Sequence, residues 1–348
     1  MTLLHLRPTA HRVVRGGRLV LGHRDRHVAL APYDVLHEDV LRLLATGVEE
    51  DALRRAVEDR HGRAGWARAE ASLARLLDAD IVRRKQAPPP LPGRYQRTLT
   101  YLSQYATSDV DEVALLSRLR DSVVTVVGVG GLGSWLLSGL ACLGVGELRI
   151  VDFDVVEGSN LNRTLLVGAG DVGAPKLEAV SARLGELTED TVVRSFPLAV
   201  GADPLPAEVV AGADVVLSTA DKPAWVVRRA VALACLDAAV PFLCPAGFRV
   251  GPFHTAPGDA CVLCDYTRRC AVVPGFAESV AEQQRVPASE PGSVPHIAAA
   301  VAGVVLQDTL RVLTGIEEPA TRNRVWNAGW DLSATYQDVS PAPGCACR

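Results

Sequence analysis

The chain has 348 residues, of which 48% are hydrophobic and 22% charged, so it can form two or more globular domains and is not a disordered protein. Its formal net charge of −4 does not favour a nucleic-acid partner. The first residues contain no long apolar segment, so we predict no signal peptide and expect a cytoplasmic protein.

Residues 1–85 are predicted to form a small separate domain. Three strand-like runs, at 11–14, 18–21 and 27–30, precede three helical patterns, at 35–44, 49–60 and 67–79. This order suggests a winged-helix-like module. It lacks the dense basic helix of a DNA-binding module. The remaining alternatives are a packing or dimerisation module and a peptide clamp, in which an extended peptide adds a strand beside the small sheet.

The proline-rich segment 86–93 is predicted to be a stiff linker and the domain boundary. Residues 94–348 then alternate strands and helices, the pattern of a doubly wound α/β sheet. The stretch 265–295 is predicted to be a long irregular loop. The uncharged run 123–146 is long enough to span a bilayer, but its seven glycines and β-type start favour a strand, a turn and a packed helix. No membrane partner is therefore expected.

The most informative stretch runs from 123 to 163. A buried-strand pattern leads into the G-x-G-x-x-G spacing at residues 128–133, an apolar helix follows, and a second strand ends at Asp152. Backbone N–H groups at such a helix N-terminus bind phosphate, and an acidic residue about 20 positions on can hold a ribose hydroxyl. Dehydrogenases, methyltransferases and adenylating enzymes share this motif. Arg163 and Lys176 favour a triphosphate, because a dinucleotide oxidoreductase needs neither cation there.

The eight cysteines are too sparse for a disulfide scaffold. Three of them lie in apolar runs and are predicted core residues, namely Cys142, Cys235 and Cys244. Four others form two close pairs that are far apart in sequence, namely Cys261 with Cys264 and Cys345 with Cys347.

Taken in order, these motifs resemble the E1-like adenylating superfamily, the ThiF, MoeB and HesA group, over residues 94–348. They are Arg94-x-x-Arg97, the glycine loop, Asp152-Phe153-Asp154, Asn160-Leu161-Asn162-Arg163, Gly173-x-x-Lys176, Thr219-Ala220-Asp221 and the two cysteine pairs. Within the superfamily the chain is most similar to the peptide adenylyltransferases of the microcin C type, which open with a similar Arg-Tyr-x-Arg motif behind a peptide-clamp domain. The resemblance implies a Rossmann-like adenylation fold preceded by a winged-helix-like, PqqD-like leader-recognition domain.

The resemblance also implies a role for each motif residue. The nucleotide-binding residues would be Gly128, Gly130, Gly131 and Gly133 at the phosphates, Asp152 at the ribose, and Asp154, Asn160, Arg163 and Lys176 around the rest of ATP. Asp221 would coordinate Mg²⁺, which needs few protein ligands. Arg97 would reach the γ-phosphate of the other subunit, which implies a homodimer. Cys261, Cys264, Cys345 and Cys347 match a structural Zn²⁺ site, although the second pair is C-x-C where the family usually has C-x-x-C.

We therefore predict ATP-dependent adenylation of the C-terminal carboxylate of a ribosomally made precursor peptide, in peptide natural-product biosynthesis. One alternative is activation of a Gly-Gly sulfur-carrier protein. Another is a non-catalytic partner that presents peptide to a separate enzyme. Cys270, beside Arg268 and Arg269, is a candidate nucleophile, because neighbouring cations favour the thiolate. The nucleotide, ATP or CTP, and the acceptor of the activated acyl group stay open.

Overall fold

The computed structural model describes residues 2–86, 93–107, 110–201, 205–220, 222–285, 292–329, 331 and 333–347. The chain divides into two compact units, Met1–Ser117 and Arg118–Arg348. Most of the predicted linker, residues 87–92, lies outside the described residues. The predicted domain boundaries, 1–85 and 94–348, therefore stay a prediction.

The first unit combines a strand pair, a three-stranded meander and helices. Its strands are β1 (Thr2–Leu6), β2 (His11–Arg15), β3 (Arg18–His23), β4 (Arg26–Leu30) and β5 (Val82–Gln86). Strands β2, β3 and β4 form an antiparallel meander in that order, and β1 pairs with β5. Its helices are α1 (Val35–Thr46), α2 (Glu50–Asp78) and α3 (Gln96–Leu102), and α4 (Glu112–Asp121) crosses into the second unit.

The three predicted strands and the first predicted helix of this unit are confirmed, whereas two details differ. The two predicted helices at 49–60 and 67–79 are one element, α2, kinked at Gly62 with φ 69°. The pair β1–β5 was not predicted, because its two strands are 75 residues apart in sequence and neither has a strong alternation of its own. The apolar faces of α1 and α2 pack with the inner side of β3 and β4 to form the core of the unit.

A buried ion network links β5 to the start of α4. Glu112 Oε2 accepts a hydrogen bond from Arg83 at 3.0 Å, and Glu112 Oε1 accepts one from Lys85 at 2.9 Å. The three side chains are 6–12% exposed. Burial alone would raise the pKa of Glu112, but hydrogen bonding from Lys85 and the charge of Arg83 hold that pKa below its usual value.

The second unit is built on a five-stranded parallel sheet with helices packed on it. The strands are β6 (Val123–Val127), β7 (Glu147–Val151), β8 (Val192–Phe196), β9 (Val215–Ser218) and β10 (Phe242–Leu243), in the order β10-β9-β6-β7-β8. The helices between them are α5 (Gly131–Leu143), α6 (Lys176–Leu187), α7 (Ala207–Val210) and α8 (Ala224–Asp237). The strand order reverses between β6 and β9, where doubly wound folds bind ligands at the carboxyl ends of the strands. The predicted fold class is confirmed.

The rest of the second unit adds a small antiparallel sheet and three helices. They are β11 (Arg249–Val250), α9 (Val262–Val272), α10 (Phe276–Arg285), α11 (Pro295–Thr314), β12 (Arg324–Ala328) and β13 (Ala334–Asp338). The prediction of an irregular loop over 265–295 is wrong, because α9 and α10 occupy most of it. Pro274 and Gly275 separate the two helices and do not prevent either of them.

Helix α11 is long and apolar enough to cross a membrane by length and composition. It packs against α5, and its residues Val301, Ala302 and Val305 belong to the core around the parallel sheet. A core helix of this kind meets the same criteria. The uncharged run 123–146 is confirmed as strand β6, a glycine turn and helix α5.

The buried ion network generates a prediction about stability. Glu112→Gln would leave two buried cations without their carboxylate, so we expect the free energy of unfolding at pH 7 to fall by about 3–5 kcal/mol. Because the folded pKa of Glu112 is depressed, this stabilisation is present above the ordinary pKa of glutamate and is lost as the pH falls through the lower, folded value. Urea denaturation at a series of pH values measures both effects.

The matched control is Glu50→Gln, which removes a carboxylate from the half-exposed pair with Arg84 in the same unit. We expect it to change the free energy of unfolding by less than about 1 kcal/mol. Equal small losses in both variants would contradict the assigned role of Glu112.

Candidate nucleotide and metal sites

The turn between β6 and α5 is fixed by steric contact with the end of β9. Gly128 has φ 88°, and a Cβ atom there would lie 2.7 Å from the backbone nitrogen of Ala220. A Cβ atom at Gly133 would lie 2.1 Å from the carbonyl oxygen of Gly128. Both positions therefore require glycine. At Gly130, by contrast, a Cβ atom would meet no described atom within 4 Å, so the backbone at the start of α5 is open to a phosphate.

Asp152 is held against this turn at the end of β7. Its Oδ2 accepts the backbone N–H of Val129 at 2.8 Å, and its Oδ1 accepts those of Phe153 at 2.8 Å and Asp154 at 2.9 Å. A carboxylate has about four acceptor positions, so these three bonds leave about one for a hydroxyl donor. The half-buried carboxylate is thus fixed in direction and can still bind a ribose hydroxyl.

Arg163 lies against the other side of the turn. Its side chain would be 3.0 Å from a Cβ atom at Gly131, so only glycine there lets it pack so closely. Its Nη1 donates to the carbonyl oxygen of Ser159 at 2.7 Å and to Asn162 Oδ1 at 3.0 Å. Asn160 is buried and shapes this loop, since its Oδ1 accepts the N–H of Glu157 and its carbonyl oxygen accepts that of Arg163.

Lys176 begins helix α6 and is bound to Asp154. Its Nζ lies 2.7 Å from Asp154 Oδ2, and its backbone N–H donates to the carbonyl oxygen of Asp154 at 2.9 Å. The Lys176 side chain is 12% exposed and that of Asp154 49%. Because the N–H of Asp154 bonds to Asp152, hydrogen bonds connect the Lys176 ammonium to the glycine turn.

The structure brings most of the predicted nucleotide residues together at the carboxyl ends of β6 and β7. The members of this connected set are Gly128, Gly130, Gly131, Gly133, Asp152, Asp154, Asn160, Arg163 and Lys176. Asp221, the predicted Mg²⁺ ligand, lies outside the described residues. Arg97 is exposed on α3 of the first unit. The individual roles stay predictions.

Three residues hold this set in place: sequence reasoning missed Ser134 and Trp135, and it named Thr219 only as part of a motif, without this role. Thr219 Oγ1 donates to the carbonyl oxygen of Gly128 at 2.7 Å, and Ser134 Oγ donates to that of Gly131 at 2.8 Å. Trp135 Nε1 donates to the carbonyl oxygen of Arg163 at 3.0 Å. Their positions in the sequence could have indicated this role, because Ser134 and Trp135 directly follow the glycine motif and Thr219 directly follows a buried strand.

The two cysteine pairs converge into one group. The Sγ atoms of Cys261, Cys264, Cys345 and Cys347 all lie within 4.8 Å of one another. Three of the Sγ–Sγ distances are 3.3, 3.6 and 3.9 Å. Four thiolates around Zn²⁺ with bonds of about 2.3 Å would be separated by about 3.8 Å, so the donor set fits that metal. The short C-x-C spacing does not prevent both of its sulfurs from joining the group.

Electrostatics favour a thiolate in this group. Hydrogen bonding from Cys261 lowers the pKa of Cys264 to about 4 in spite of burial, and the N–H of Ala342 also donates to its Sγ at 3.2 Å. Burial raises the pKa of Cys347 to about 12. Four protein ligands leave no open position, so a metal here would connect α9 to residues 345–347 and would not act on a substrate.

Cys270, the candidate nucleophile, lies on helix α9 and is half-buried, not in a loop as predicted. Burial, followed by a hydrogen bond with Cys270, raises the pKa of its neighbour Tyr266.

Comparison with known proteins gives consistent results. The ThiF family model matches residues 101–347. The structure of Escherichia coli MccB with ATP superposes with a TM-score of 0.73 at 18% identity and covers 99% of both chains, and MccB has also been solved with MccA. The structure of PaaA superposes with a TM-score of 0.75 at 19% identity, over 96% of this chain and 99% of PaaA.

Two curated relatives match in sequence. The molybdopterin-synthase adenylyltransferase of E. coli is 27% identical over 231 residues, which is 65% of this chain and 87% of that enzyme. The SAMP-activating enzyme E1 of Haloferax volcanii is 46% identical over 104 residues, 30% of this chain, and the match spans only 38% of the archaeal enzyme's length.

The cysteine group generates a prediction about metal content. We expect purified protein to contain one zinc per chain, and Cys345→Ser or Cys347→Ser to lose it. The midpoint of thermal unfolding should fall by about 10 °C, the equivalent of about 3–4 kcal/mol for a unit of this size. Elemental analysis and calorimetry measure both quantities.

The control is Cys142→Ser, because Cys142 lies outside the group and is exposed, not in the core as predicted. It should keep both zinc and stability. Full zinc content in the Cys347→Ser variant would show that the group is not the metal site.

Proposed function

The chain belongs to the ThiF family of E1-like adenylyltransferases, and we propose that it uses ATP to adenylate the C-terminal carboxylate of a ribosomally made precursor peptide. The observation that carries this proposal is the connected set around the glycine turn, in which Arg163 packs against Gly131 and Lys176 is linked to the turn through Asp154. We propose a cytoplasmic location, where ATP and newly made peptide are both available.

The reaction is an attack by a carboxylate oxygen on the α-phosphorus of ATP. The bond from that phosphorus to the oxygen bridging to the β-phosphate breaks, and pyrophosphate leaves with the electron pair. Negative charge builds on the α-phosphate and on the leaving group, so fixed cations stabilise the transition state. Arg163 and Lys176 supply them, and a phosphate oxygen would compete with Asp154 for the Lys176 ammonium.

Two metal ions accompany the proposal. Mg²⁺ would neutralise charge on the phosphates, with Asp221 as its proposed protein ligand. Zn²⁺ would occupy the four-cysteine group, whose donor set fits it.

The first unit offers an edge for the peptide. Strand β2 pairs with β3 only, among the described residues, and all five of its residues are exposed. The other edge of the meander, β4, is partly occupied, because Arg75 Nη2 donates to the carbonyl oxygen of Ala29 at 2.8 Å. An extended peptide can therefore add a strand along β2 and bind through backbone hydrogen bonds.

A cleft of about 460 Å³ beside the start of β2 would take a side chain of that peptide. Its apolar lining is Leu6, Leu21 and Leu41, and its charged lining includes Arg12 and Glu38. A lining of this kind suits one apolar side chain of the peptide with polar side chains beside it. The first unit would then hold the leader part of the peptide while its C-terminus reaches the nucleotide.

An exposed apolar patch beside the nucleotide residues supports a homodimer. Its members lie on the segment from β7 to α6, namely Phe153, Val155, Leu161, Leu165 and Val172, with Phe153 64% exposed. The two ends of this segment lie close together, because the N–H of Gly173 donates to the carbonyl oxygen of Val156. Patches of this kind mark protein interfaces. We propose that Arg97 of one subunit then serves the nucleotide site of the other.

A second candidate function is activation of a Gly-Gly sulfur-carrier protein, which the match to 87% of the E. coli molybdopterin-synthase adenylyltransferase favours. The family match begins at residue 101, so the first unit adds about 100 residues that this second function does not require. The third alternative, a non-catalytic presenting partner, would bind nucleotide without turnover.

Exchange of labelled pyrophosphate into ATP separates these functions. With a synthetic candidate precursor peptide, we expect peptide-dependent exchange, and none with a Gly-Gly carrier protein. Lys176→Met should lower the exchange rate about 100-fold, because it removes a cation that acts on the transition state. Arg183→Gln, an exposed change on the same helix α6, should leave the rate unchanged.

Mixing two inactive variants tests the role of Arg97. In a two-fold dimer, the subunit with Arg97→Ala keeps its own Lys176 and receives Arg97 from a Lys176→Met subunit. In an equal mixture, half of the dimers contain one subunit of each variant, and each of these has one complete site out of two. About a quarter of the wild-type number of active sites should therefore be restored. Exchange that stays at the level of the separate variants would exclude a contribution across subunits, and nucleotide binding without any exchange would exclude catalysis.

The open edge of β2 generates a prediction about peptide binding. Gly16 and Gly17 both have positive φ and form a two-residue turn between β2 and β3. Arg15 and Arg18, which flank this turn, are therefore a hydrogen-bonded pair of the antiparallel ladder. The next pair, Val14 with Leu19, is not hydrogen-bonded, so the N–H of Val14 points away from β3. Val14→Pro removes that outward donor without breaking the hairpin. We expect affinity for the same peptide, measured by calorimetry, to fall about tenfold or more.

The control for this variant is Val14→Ala, which shortens the side chain and keeps the N–H. It should bind within about threefold of the wild type. Equal affinity of the proline and alanine variants would place the peptide elsewhere.

A further inference from the structure

Two histidines of the first unit lie together on one face of the meander. His11 on β2 and His27 on β4 both pair with Gly22, on the central strand β3. Successive residues of a strand face opposite sides of the sheet. Because Leu21 and Val28 belong to the core, Gly22 and the two histidines share the opposite, outer face. We call His11 and His27 the histidine pair.

The glycine on the central strand lets the two imidazole rings meet. A Cβ atom at Gly22 would lie only 2.4 Å from His11 Nε2 and 2.6 Å from His27 Cδ2. In an imidazole ring Cδ2 is bonded to Nε2, so the Nε2 side of each ring lies over the glycine. A side chain at residue 22 would occupy the same space and push the rings apart.

The spacing of the rings fits a metal ion held between them. Their centroids are 5.4 Å apart, and their planes make an angle of 64°. With metal–nitrogen bonds of about 2.0–2.1 Å, each centroid would lie about 3.2 Å from the ion, and a tetrahedral angle would separate the two centroids by about 5.2 Å. Small rotations of the two side chains are therefore enough to bring both Nε2 atoms to one ion.

Both imidazoles are accessible to such an ion. The two histidines are exposed, and neither ring makes a hydrogen bond within the part of the chain that the structure describes. Their sequence neighbours Arg12 and Arg26 face the inner side of the meander, because strand residues alternate. The guanidinium group of Arg24 lies over the ring of Tyr105, 5.2 Å from its centroid. These three cations are thus directed away from the space between the rings.

We infer that His11 and His27 bind a divalent transition metal of the Zn²⁺ or Ni²⁺ type over Gly22. Neutral imidazole is a preferred ligand of these metals, whereas Mg²⁺ and Ca²⁺ prefer oxygen. Two protein ligands leave the remaining positions to water, so this ion exchanges with solvent, unlike an ion enclosed by four cysteines. When bound, it connects β2 to β4 across β3 and stabilises the meander.

The test titrates Ni²⁺ into the full chain by calorimetry, at about pH 7.5, where imidazole is mostly neutral. The protein is first loaded with one equivalent of Zn²⁺ to occupy the four-cysteine group. We expect one Ni²⁺ to bind per chain and to raise the midpoint of thermal unfolding. His11→Ala and His27→Ala should each weaken binding about tenfold or more and remove the thermal shift. Mg²⁺ should not compete.

A third variant tests the geometry without removing a ligand. Gly22→Ala keeps both imidazoles, and its methyl group would separate them. We expect it to lose Ni²⁺ binding as fully as His11→Ala does. The matched control is His296→Ala, which removes an exposed histidine of the second unit and should bind Ni²⁺ like the wild type. Comparison among the variants cancels any binding to the cysteines, because all of them keep those residues.

Three results overturn the inference. They are a wild-type chain that binds no Ni²⁺ beyond the four-cysteine group, binding that survives either histidine substitution, and binding that survives Gly22→Ala. The measurement needs neither ATP nor peptide, and the histidine pair shares no residue with the nucleotide site. The metal site and the proposed function can therefore fail independently.

Discussion

The close approach of the β6–α5 turn to the end of β9 is the constraint on which the nucleotide site depends. Gly128 and Gly133 leave no room for a Cβ atom, and Thr219 closes the contact with a hydrogen bond to Gly128. With the turn fixed, the backbone at Gly130 faces open space while Asp152 binds the N–H of Val129 from the neighbouring strand. The Asp152 carboxylate is thus positioned by backbone groups of the turn, whereas Arg163 and Lys176 are held by side-chain hydrogen bonds beside it.

Much of this arrangement could be predicted from the sequence, for a physical reason. In a parallel sheet, the residues that follow consecutive strands meet at one edge, so Asp152 after β7 and the glycine motif after β6 had to be neighbours. The parts that could not be predicted depend on partners far away in sequence. Residues Thr2–Leu6 form a strand because they pair with β5. Ser134 stabilises the site because its hydroxyl bonds both to the carbonyl oxygen of Gly131 and to the N–H of Leu165. The helices α9 and α10 were not predicted because this stretch is rich in Pro, Gly, Ser and Gln, a composition typical of loops.

The cysteine group has a consequence for the packing of helix α9, because two of its members lie at the start of that helix. Cys261 and Cys264 lie at its start, and Tyr266 and Arg269 follow within two turns. A closed tetrahedral metal site would fix the direction of the helix and so hold the guanidinium group of Arg269 over Phe276. A metal that takes no part in the reaction would in this way stabilise the packing of α9 against α10.

The charges along β2 also determine which chains that strand can accept. An uncovered strand edge with two half-exposed valines is normally a hazard, since identical molecules can join edge to edge and aggregate. Arg12 and Arg15 lie on the same strand, so two copies brought together would place like charges side by side. Strand β2 can therefore stay unpaired at high protein concentration. It would bind an extended peptide best when that peptide carries acidic residues opposite the two arginines.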